Sequence, residues 1–193
     1  MQYYNITFFG RKFGSTYAVA LELDAYFAGS DHDHGSCVSG ALDSAASVCQ
    51  QRDVRLTPLR RRVLELIWQS HRPIGAYAVL EALQAGRRAA AADGKASAVA
   101  PPTVYRALEF LLGQRLIHRI ESLNAYIGCI HPGARHAAQF FICNGCGSAA
   151  ELESRALLTA IDSAAADVGF VIERVAVEVA GQCPDCLRAA DAG

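Results

Sequence analysis

Residues 101–130 read PPTVYRALEFLLGQRLIHRIESLNAYIGCI, and this stretch decides the fold. Two prolines open it, as is typical of a first helical turn. The apolar side chains that follow recur at helical spacing: Val104, Leu108, Leu111 and Leu112. Two short runs rich in Ile and Tyr, residues 116–122 and 124–130, then predict a hairpin. The stretch therefore predicts a helix followed directly by a two-stranded wing.

Upstream residues predict three further helices, at about 42–52, from Thr57-Pro58 to about residue 70, and at 76–85. Thr57 is a good N-cap and the following proline fits the first turn. Residues 86–100 are rich in Ala without a clear apolar face, which predicts a loop. Helices and a hairpin in this order are typical of a winged helix-turn-helix, whose later helix enters the major groove of DNA.

Four polar side chains of residues 101–113 are expected to face away from the core: Thr103, Tyr105, Arg106 and Glu109. The planar guanidinium of Arg106 can bind a guanine edge, and Tyr105 and Thr103 can reach phosphates or a thymine methyl. The alternative is a small helical core with ordinary surface arginines. The pattern alone does not decide between the two.

Two Cys-x-x-Cys pairs lie in the last quarter of the chain, with 36 residues between them: Cys143, Cys146, Cys183 and Cys186. Two such turns can supply four thiolates to one tetrahedral zinc ion. Redox or iron-sulfur chemistry is the alternative. A structural zinc is favoured because a redox dithiol would need only one pair.

The 193-residue chain divides into halves of opposite charge, which favours two domains. Residues 41–121 carry 12 Lys and Arg against 7 Asp and Glu, whereas residues 122–193 carry 4 against 8. Seven cysteines without a leader peptide predict a cytoplasmic protein. No apolar run reaches the roughly 18 residues that span a bilayer, so no membrane association is expected.

Two segments resemble the ferric uptake regulator family of bacterial metal-sensing repressors: RLTPLR at residues 55–60 and PPTVYRAL at 101–108, followed by the two Cys pairs. The similarity covers about residues 41–186. HRIES at 118–122 and YIGC at 126–129 are most similar to the zinc uptake regulator branch of that family.

The resemblance implies an α+β fold, in which an N-terminal winged helix-turn-helix precedes a small C-terminal α/β dimerisation domain. The expected boundaries are a poorly ordered appendage at 1–38, the winged helix at 39–130, a hinge at 131–136, the dimerisation and zinc-binding domain at 137–188 and a tail at 189–193. Within the C-terminal domain, the sequence predicts strands at 139–142 and 170–179 around a helix at 154–167.

By the same resemblance, Tyr77 and Arg106 help to read operator bases, and a second, regulatory zinc binds four further residues: His118, Cys129, His136 and Glu151. Two imidazoles, a thiolate and a carboxylate suit four-coordinate zinc. His131 is the rival of His136 for this role. The expectation is therefore two zinc ions per chain, one structural and one regulatory.

The predicted function is a zinc-responsive repressor that binds palindromic operator DNA as a homodimer. The sequence leaves open whether one or two dimers occupy an operator. Alternatives are an iron, manganese or peroxide sensor of the same family, or, in another class, a zinc-ribbon adaptor or a thiol oxidoreductase. The sequence lacks the common hydrolase, phosphate-loop and dinucleotide motifs, so no enzymatic activity is predicted.

Overall fold

A computed structural model describes residues 34–91, 98–134 and 136–191. Most of the predicted appendage at 1–38 therefore lies outside the described residues. Among the helices that are described, none is long and apolar enough to cross a membrane.

The N-terminal half is a winged helix. Its elements are α1 (His34–Gln51), α2 (Pro58–Trp68), β1 (Ile74–Gly75), α3 (Ala76–Ala90), α4 (Pro101–Gly113), β2 (Ile117–Ile120) and β3 (Ala125–Gly128). The three strands form an antiparallel sheet in the order β1-β3-β2. Helix α2 begins where the Thr57 hydroxyl accepts the Arg60 N–H at 3.4 Å, as its sequence predicted.

One apolar core unites the helices of this half. Its fully buried members include Val63, Leu64, Val79, Leu108 and Leu111, which come from α2, α3 and α4. The buried positions of α4 recur at helical spacing, so its opposite side remains exposed. The core thus fixes which face of α4 points to solvent.

The C-terminal half is a three-stranded sheet with two helices. Its elements are β4 (Gln139–Cys143), β5 (Ala149–Leu152), α5 (Arg155–Asp167), β6 (Val177–Gly181) and α6 (Pro184–Asp191). The strand order is β5-β4-β6, with β4 antiparallel to β5 and parallel to β6. Every residue of α5 is described and none is buried. Together these halves confirm the predicted α+β fold class.

Several predicted boundaries were wrong. Helix α1 begins at His34, inside the span assigned to the appendage, and α3 continues to Ala90, into the predicted loop. The strand predicted at 170–179 begins later, since β6 spans Val177–Gly181. The apolar residues Phe170 and Val171, which suggested the earlier start, are exposed and pair with no described strand. Strands β1 and β5 were missed. So was α6, which extends into the predicted tail at 189–193.

The two halves pack against each other through a small second core. Ile120 and Ile127 of the wing contact Phe140, Ile142 and Ala149 of the C-terminal sheet. The carbonyl of His71, after α2, also accepts the backbone N–H of Ala149 at 2.9 Å. The wing and the segment after α2 are therefore the parts of the winged helix that contact the C-terminal sheet.

Candidate metal centres and DNA-binding surface

The four predicted cysteines meet at one end of the C-terminal sheet. Their sulfur atoms all lie within 4.8 Å of one another. Cys143 ends β4, and Cys183 immediately precedes α6. A Cβ at Gly145 would come within 2.8 Å of the Cys186 sulfur, so glycine is needed for this close approach. Both pairs belong to the same domain.

Backbone hydrogen bonds prepare one of these thiols for a cation. The N–H groups of Cys146 and Cys183 lower the pKa of Cys143 to about 6, so its thiolate forms readily. The neighbouring sulfurs of Cys183 and Cys143 raise the pKa of Cys186 to about 12. Thiolates this close together repel one another, so the four thiols resist full deprotonation. A bound dication would stabilise all four thiolates at once.

The second predicted quartet also meets in space, at the junction of the two halves. The donor atoms of His118, Cys129, His136 and Glu151 all lie within 4.8 Å of one another. Glu151 Oε1 is 2.6 Å from His136 Nε2 and 3.0 Å from His118 Nε2. The Cys129 sulfur is 3.6 Å from His136 Nε2. These four donors are of three types, imidazole, thiolate and carboxylate, and both the types and the number suit tetrahedral zinc.

Neighbouring backbone groups orient two of the four side chains. His136 Nδ1 lies 3.3 Å from the carbonyl oxygen of Ala134, a partner that can only accept. With the proton on Nδ1, this contact leaves the Nε2 lone pair available to a cation in the cluster. The second carboxylate oxygen of Glu151 accepts the Ile130 N–H at 3.0 Å. Both side chains are held in place by groups outside the quartet.

Because the quartet is largely buried, it would destabilise the fold if it were only a group of polar side chains without a bound cation. The side chains of His136 and Glu151 are 5% and 3% exposed. Burial, and next the Glu151 carboxylate, raise the pKa of the Cys129 thiol to about 12. Burial alone would raise the pKa of Glu151 as well, but its contacts with His118, Ile130 N–H and His136 lower it below the usual value. A buried carboxylate beside a thiol and two imidazoles fits a bound cation.

The four donors come from four different segments. His118 is on β2, Cys129 directly follows β3, His136 precedes β4 and Glu151 is on β5. The first two belong to the winged helix and the last belongs to the C-terminal sheet. His131, the sequence rival of His136, is exposed, and its ring centre is 6.0 Å from that of His136.

The predicted DNA-binding side chains lie on the exposed surface of the winged helix. Tyr77, near the start of α3, is 70% exposed, and Tyr105 of α4 is 41% exposed. Thr103 and Arg106 are exposed on the same helix, opposite its buried face. Helices α3 and α4 pack on each other. The arrangement leaves all four side chains accessible to a ligand in solution.

Sequence reasoning missed two contacts that support the junction. A Cβ at Gly128 would overlap the indole of Trp68, so the residue before Cys129 must be glycine for α2 to pack on β3. The guanidinium of Arg52 donates to the carbonyl oxygens of Gln114, at 2.7 Å, and Gly133, at 2.6 Å. Arg52 thus ties the end of α1 to the segment around Gly133, which the sequence predicted as a hinge, and no local sequence signal indicates this pairing.

A winged helix joined to a sheet domain, with candidate metal ligands at the junction, defines the class of metal-responsive transcription regulators. The sequence profile of the ferric uptake regulator family matches residues 51–180. The chain belongs to this family, which confirms the resemblance. Members of the family are regulators and not enzymes, as the absence of enzyme motifs predicted.

Several proteins that are similar in sequence align with most of this chain. The zinc uptake regulation protein of Escherichia coli (strain K12) is 37% identical over 148 residues, which cover 76% of this chain and 81% of that protein. A solved zinc uptake regulator complexed with zinc and DNA is 34% identical with a TM-score of 0.69, over 80% of this chain and 97% of the other. Holo XcZur is 37% identical with a TM-score of 0.66, over 76% and 96%.

Proposed function

We propose that this protein is a zinc-responsive transcriptional repressor that binds palindromic operator DNA as a homodimer when its junction site holds zinc. The observation that carries the proposal is the distribution of the four junction ligands. His118 and Cys129 belong to the wing, and Glu151 belongs to the C-terminal sheet. An ion bound to all four fixes the position of the DNA-binding half relative to the rest of the dimer.

Zinc is the favoured metal because of the donor set. A thiolate and two imidazoles suit zinc better than manganese or iron(II), which prefer more oxygen and nitrogen ligands. The relatives at 34% to 37% identity include a zinc uptake regulation protein and a zinc uptake regulator complexed with zinc and DNA. In this proposal the four-cysteine site holds a second zinc permanently, which gives two ions per chain.

DNA recognition is assigned to α4 together with the start of α3. Arg106 and Tyr77 contact operator bases, and Thr103 and Tyr105 contact the backbone or a thymine methyl. The dimer forms through the C-terminal half, where Val168, Phe170 and Val171 are 78%, 67% and 82% exposed in the single chain. Contiguous exposed apolar side chains of this kind mark an interface. A twofold dimer then presents two recognition helices to a palindromic site.

The energetics of such a switch are modest. Shifting a two-state protein from mostly open to mostly closed takes about 5.5 kcal/mol of differential affinity. Structural zinc sites in small peptides reach about 10–16 kcal/mol, so a weaker regulatory site is still sufficient.

The test measures operator binding by fluorescence anisotropy while buffered Zn²⁺, Mn²⁺ or Fe²⁺ is titrated, and counts zinc per chain. Wild type is expected to hold two zinc ions and to bind a palindromic operator in response to Zn²⁺ at the lowest free concentration. Cys129→Ser is expected to hold one zinc, remain dimeric and lose the response. Zinc-dependent binding by Cys129→Ser, or a stronger response to Mn²⁺ or Fe²⁺, overturns the assignment of the site.

A further inference from the structure

The turn at the tip of the wing is held by a carboxylate of the C-terminal sheet. Glu178, on β6, accepts two backbone N–H groups of that turn, one on each oxygen. The Glu121 N–H lies 2.7 Å from Oε1, and the Ser122 N–H lies 3.0 Å from Oε2. A single side chain from one half thus accepts two of the backbone N–H groups of the turn that joins β2 and β3 in the other half.

An ion pair joins the same two segments. The Glu121 carboxylate contacts the Arg174 guanidinium, in the segment before β6, at 2.9 Å. Its other oxygen is 3.3 Å from Arg119 Nε, and Arg119 also donates to the Asn124 side chain at 2.9 Å. The charges around the turn therefore alternate in sign. Contacts of Arg119 hold the wing tip together, and the contact between Glu121 and Arg174 joins it to the segment before β6.

The electrostatics of Glu178 agree with this role. Partial burial would raise the pKa of Glu178, but the hydrogen bonds from Ser122 and Glu121 and the nearby charge of Arg174 lower it below the usual value. The carboxylate is thus stabilised in its ionised, doubly accepting form. Charge-assisted hydrogen bonds of this kind are stronger than those between neutral groups.

None of these contacts involves a junction ligand. Glu178 is on β6, at the opposite edge of the sheet from β5, which carries Glu151. A groove of about 410 Å³ lies between the wing and the sheet, with His118 and His136 among its lining residues along with Glu121, Arg174 and Glu178. The contacts of Glu178 and Arg174 with the wing turn therefore join the two halves beside the junction quartet without using any of its candidate metal ligands.

We infer that Glu178 is a positioning residue that works as a metal-independent clasp on the wing. Its two hydrogen bonds exist only when the wing lies on the sheet, so they favour the same arrangement as the junction ion. The clasp lowers the free zinc concentration at which the protein binds DNA. It also fixes the position of the turn between β2 and β3 on the C-terminal sheet. This inference rests on the proposed function, because it concerns the zinc response.

The test compares Glu178→Gln with Glu173→Gln, which removes the same charge from an exposed residue of the preceding segment. A glutamine at 178 can accept only one of the two N–H groups. Arg174→Ala removes the ion pair and leaves the capping carboxylate. Operator binding is measured against buffered free zinc, and amide hydrogen exchange is followed in the peptide that contains residues 119–124.

Glu178→Gln is expected to need about 5- to 50-fold more free zinc for half-maximal operator binding, within the usual range of coupling between sites. Both zinc ions remain bound at saturation, and exchange at Glu121 and Ser122 becomes faster. Arg174→Ala should show a smaller shift in the same direction, and Glu173→Gln none. Glu178→Asp, whose carboxylate is set back from both donors by one methylene, serves if the glutamine variant does not fold.

An unchanged zinc midpoint in Glu178→Gln, or exchange at residues 121–122 equal to that of wild type, overturns the clasp. A midpoint that shifts equally in Glu173→Gln also overturns it, because the effect would then be one of net charge. Failure of the proposed function gives a different result, since the wild-type protein itself would show no dependence on zinc.

Discussion

The two ligand clusters have the same number of donors but join different parts of the chain. Cys143, Cys146, Cys183 and Cys186 all belong to the C-terminal half, whereas the junction quartet draws on the wing, the segment between β3 and β4, and the C-terminal sheet. An ion in the first cluster closes a loop inside one domain. An ion in the second connects the winged helix, which has a large core of its own, to the C-terminal sheet.

This difference separates folding from signalling. A cation that stabilises one domain contributes to its folding free energy and is expected to stay bound. A cation between two domains contributes only to their relative arrangement, so it can bind and leave while both domains remain folded. The uniform thiolate donors of the first cluster and the mixed donors of the second agree with a tighter and a weaker site.

The largest expected effect follows from breaking the four-cysteine cluster. Cys183→Ser removes a buried ligand, and structural zinc sites are worth about 10–16 kcal/mol in small peptides, so the C-terminal domain should unfold and the dimer dissociate. Circular dichroism melts and size-exclusion chromatography measure both. Cys37→Ser, which changes a cysteine of α1 outside both clusters, is the control. A stable, dimeric Cys183→Ser protein would show that this cluster is not structural.

A substitution in the junction quartet should leave the fold intact. Glu151→Gln keeps the shape of the side chain but weakens the carboxylate ligand, so operator affinity in zinc should fall about 5- to 150-fold, the usual range of allosteric coupling. Glu153→Gln makes the same charge change at an exposed position two residues away. Anisotropy titrations compare the two. Equal effects in both variants would show that Glu151 has no special role in the junction quartet. The contrast between this quartet and the four-cysteine cluster would then fail.

Gly128→Ala is expected to have an intermediate effect on the winged helix. The added Cβ overlaps the Trp68 indole and forces either the ring or the strand to move, which should cost about 1–3 kcal/mol of unfolding free energy. Because Cys129 follows directly, zinc affinity at the junction should fall, while the four-cysteine site keeps its ion. Denaturant unfolding and zinc counting measure the two effects. Gly113→Ala, where a Cβ meets nothing within 4 Å, is the matched control.

The smallest expected effect concerns DNA alone. Arg106→Lys keeps the charge but loses the planar pair of donors, so discrimination between operator bases should fall by about 1 kcal/mol or slightly more. Both zinc ions and the melting temperature should remain unchanged. Arg155→Lys, on exposed α5, is the control, and competition between operator variants is the measurement. Unaltered base preference in Arg106→Lys would exclude that residue from base recognition.

Local patterns in the sequence predicted much of this architecture. The spacing of the Cys pairs and the period of α4 depend on residues close in the chain, and both clusters meet in space as the sequence and the family resemblance implied. Strand β5, which carries Glu151, was missed because Ala149-Ala150-Glu151-Leu152 is short and rich in small residues. The exposed Phe170 and Val171 gave a false strand pattern. Contacts such as Glu178 with the wing turn join distant segments and leave no local signal.

The central claim is that the junction ion sets the orientation of the winged helix relative to the C-terminal sheet. It is tested most directly by crystal structures of the same dimer with the junction site filled and, after mild chelation, emptied while the four-cysteine site remains loaded. With residues 139–181 superposed, the account predicts that α4 rotates and that His118 separates from Glu151 when the ion leaves. Two structures with α4 in the same orientation would contradict it.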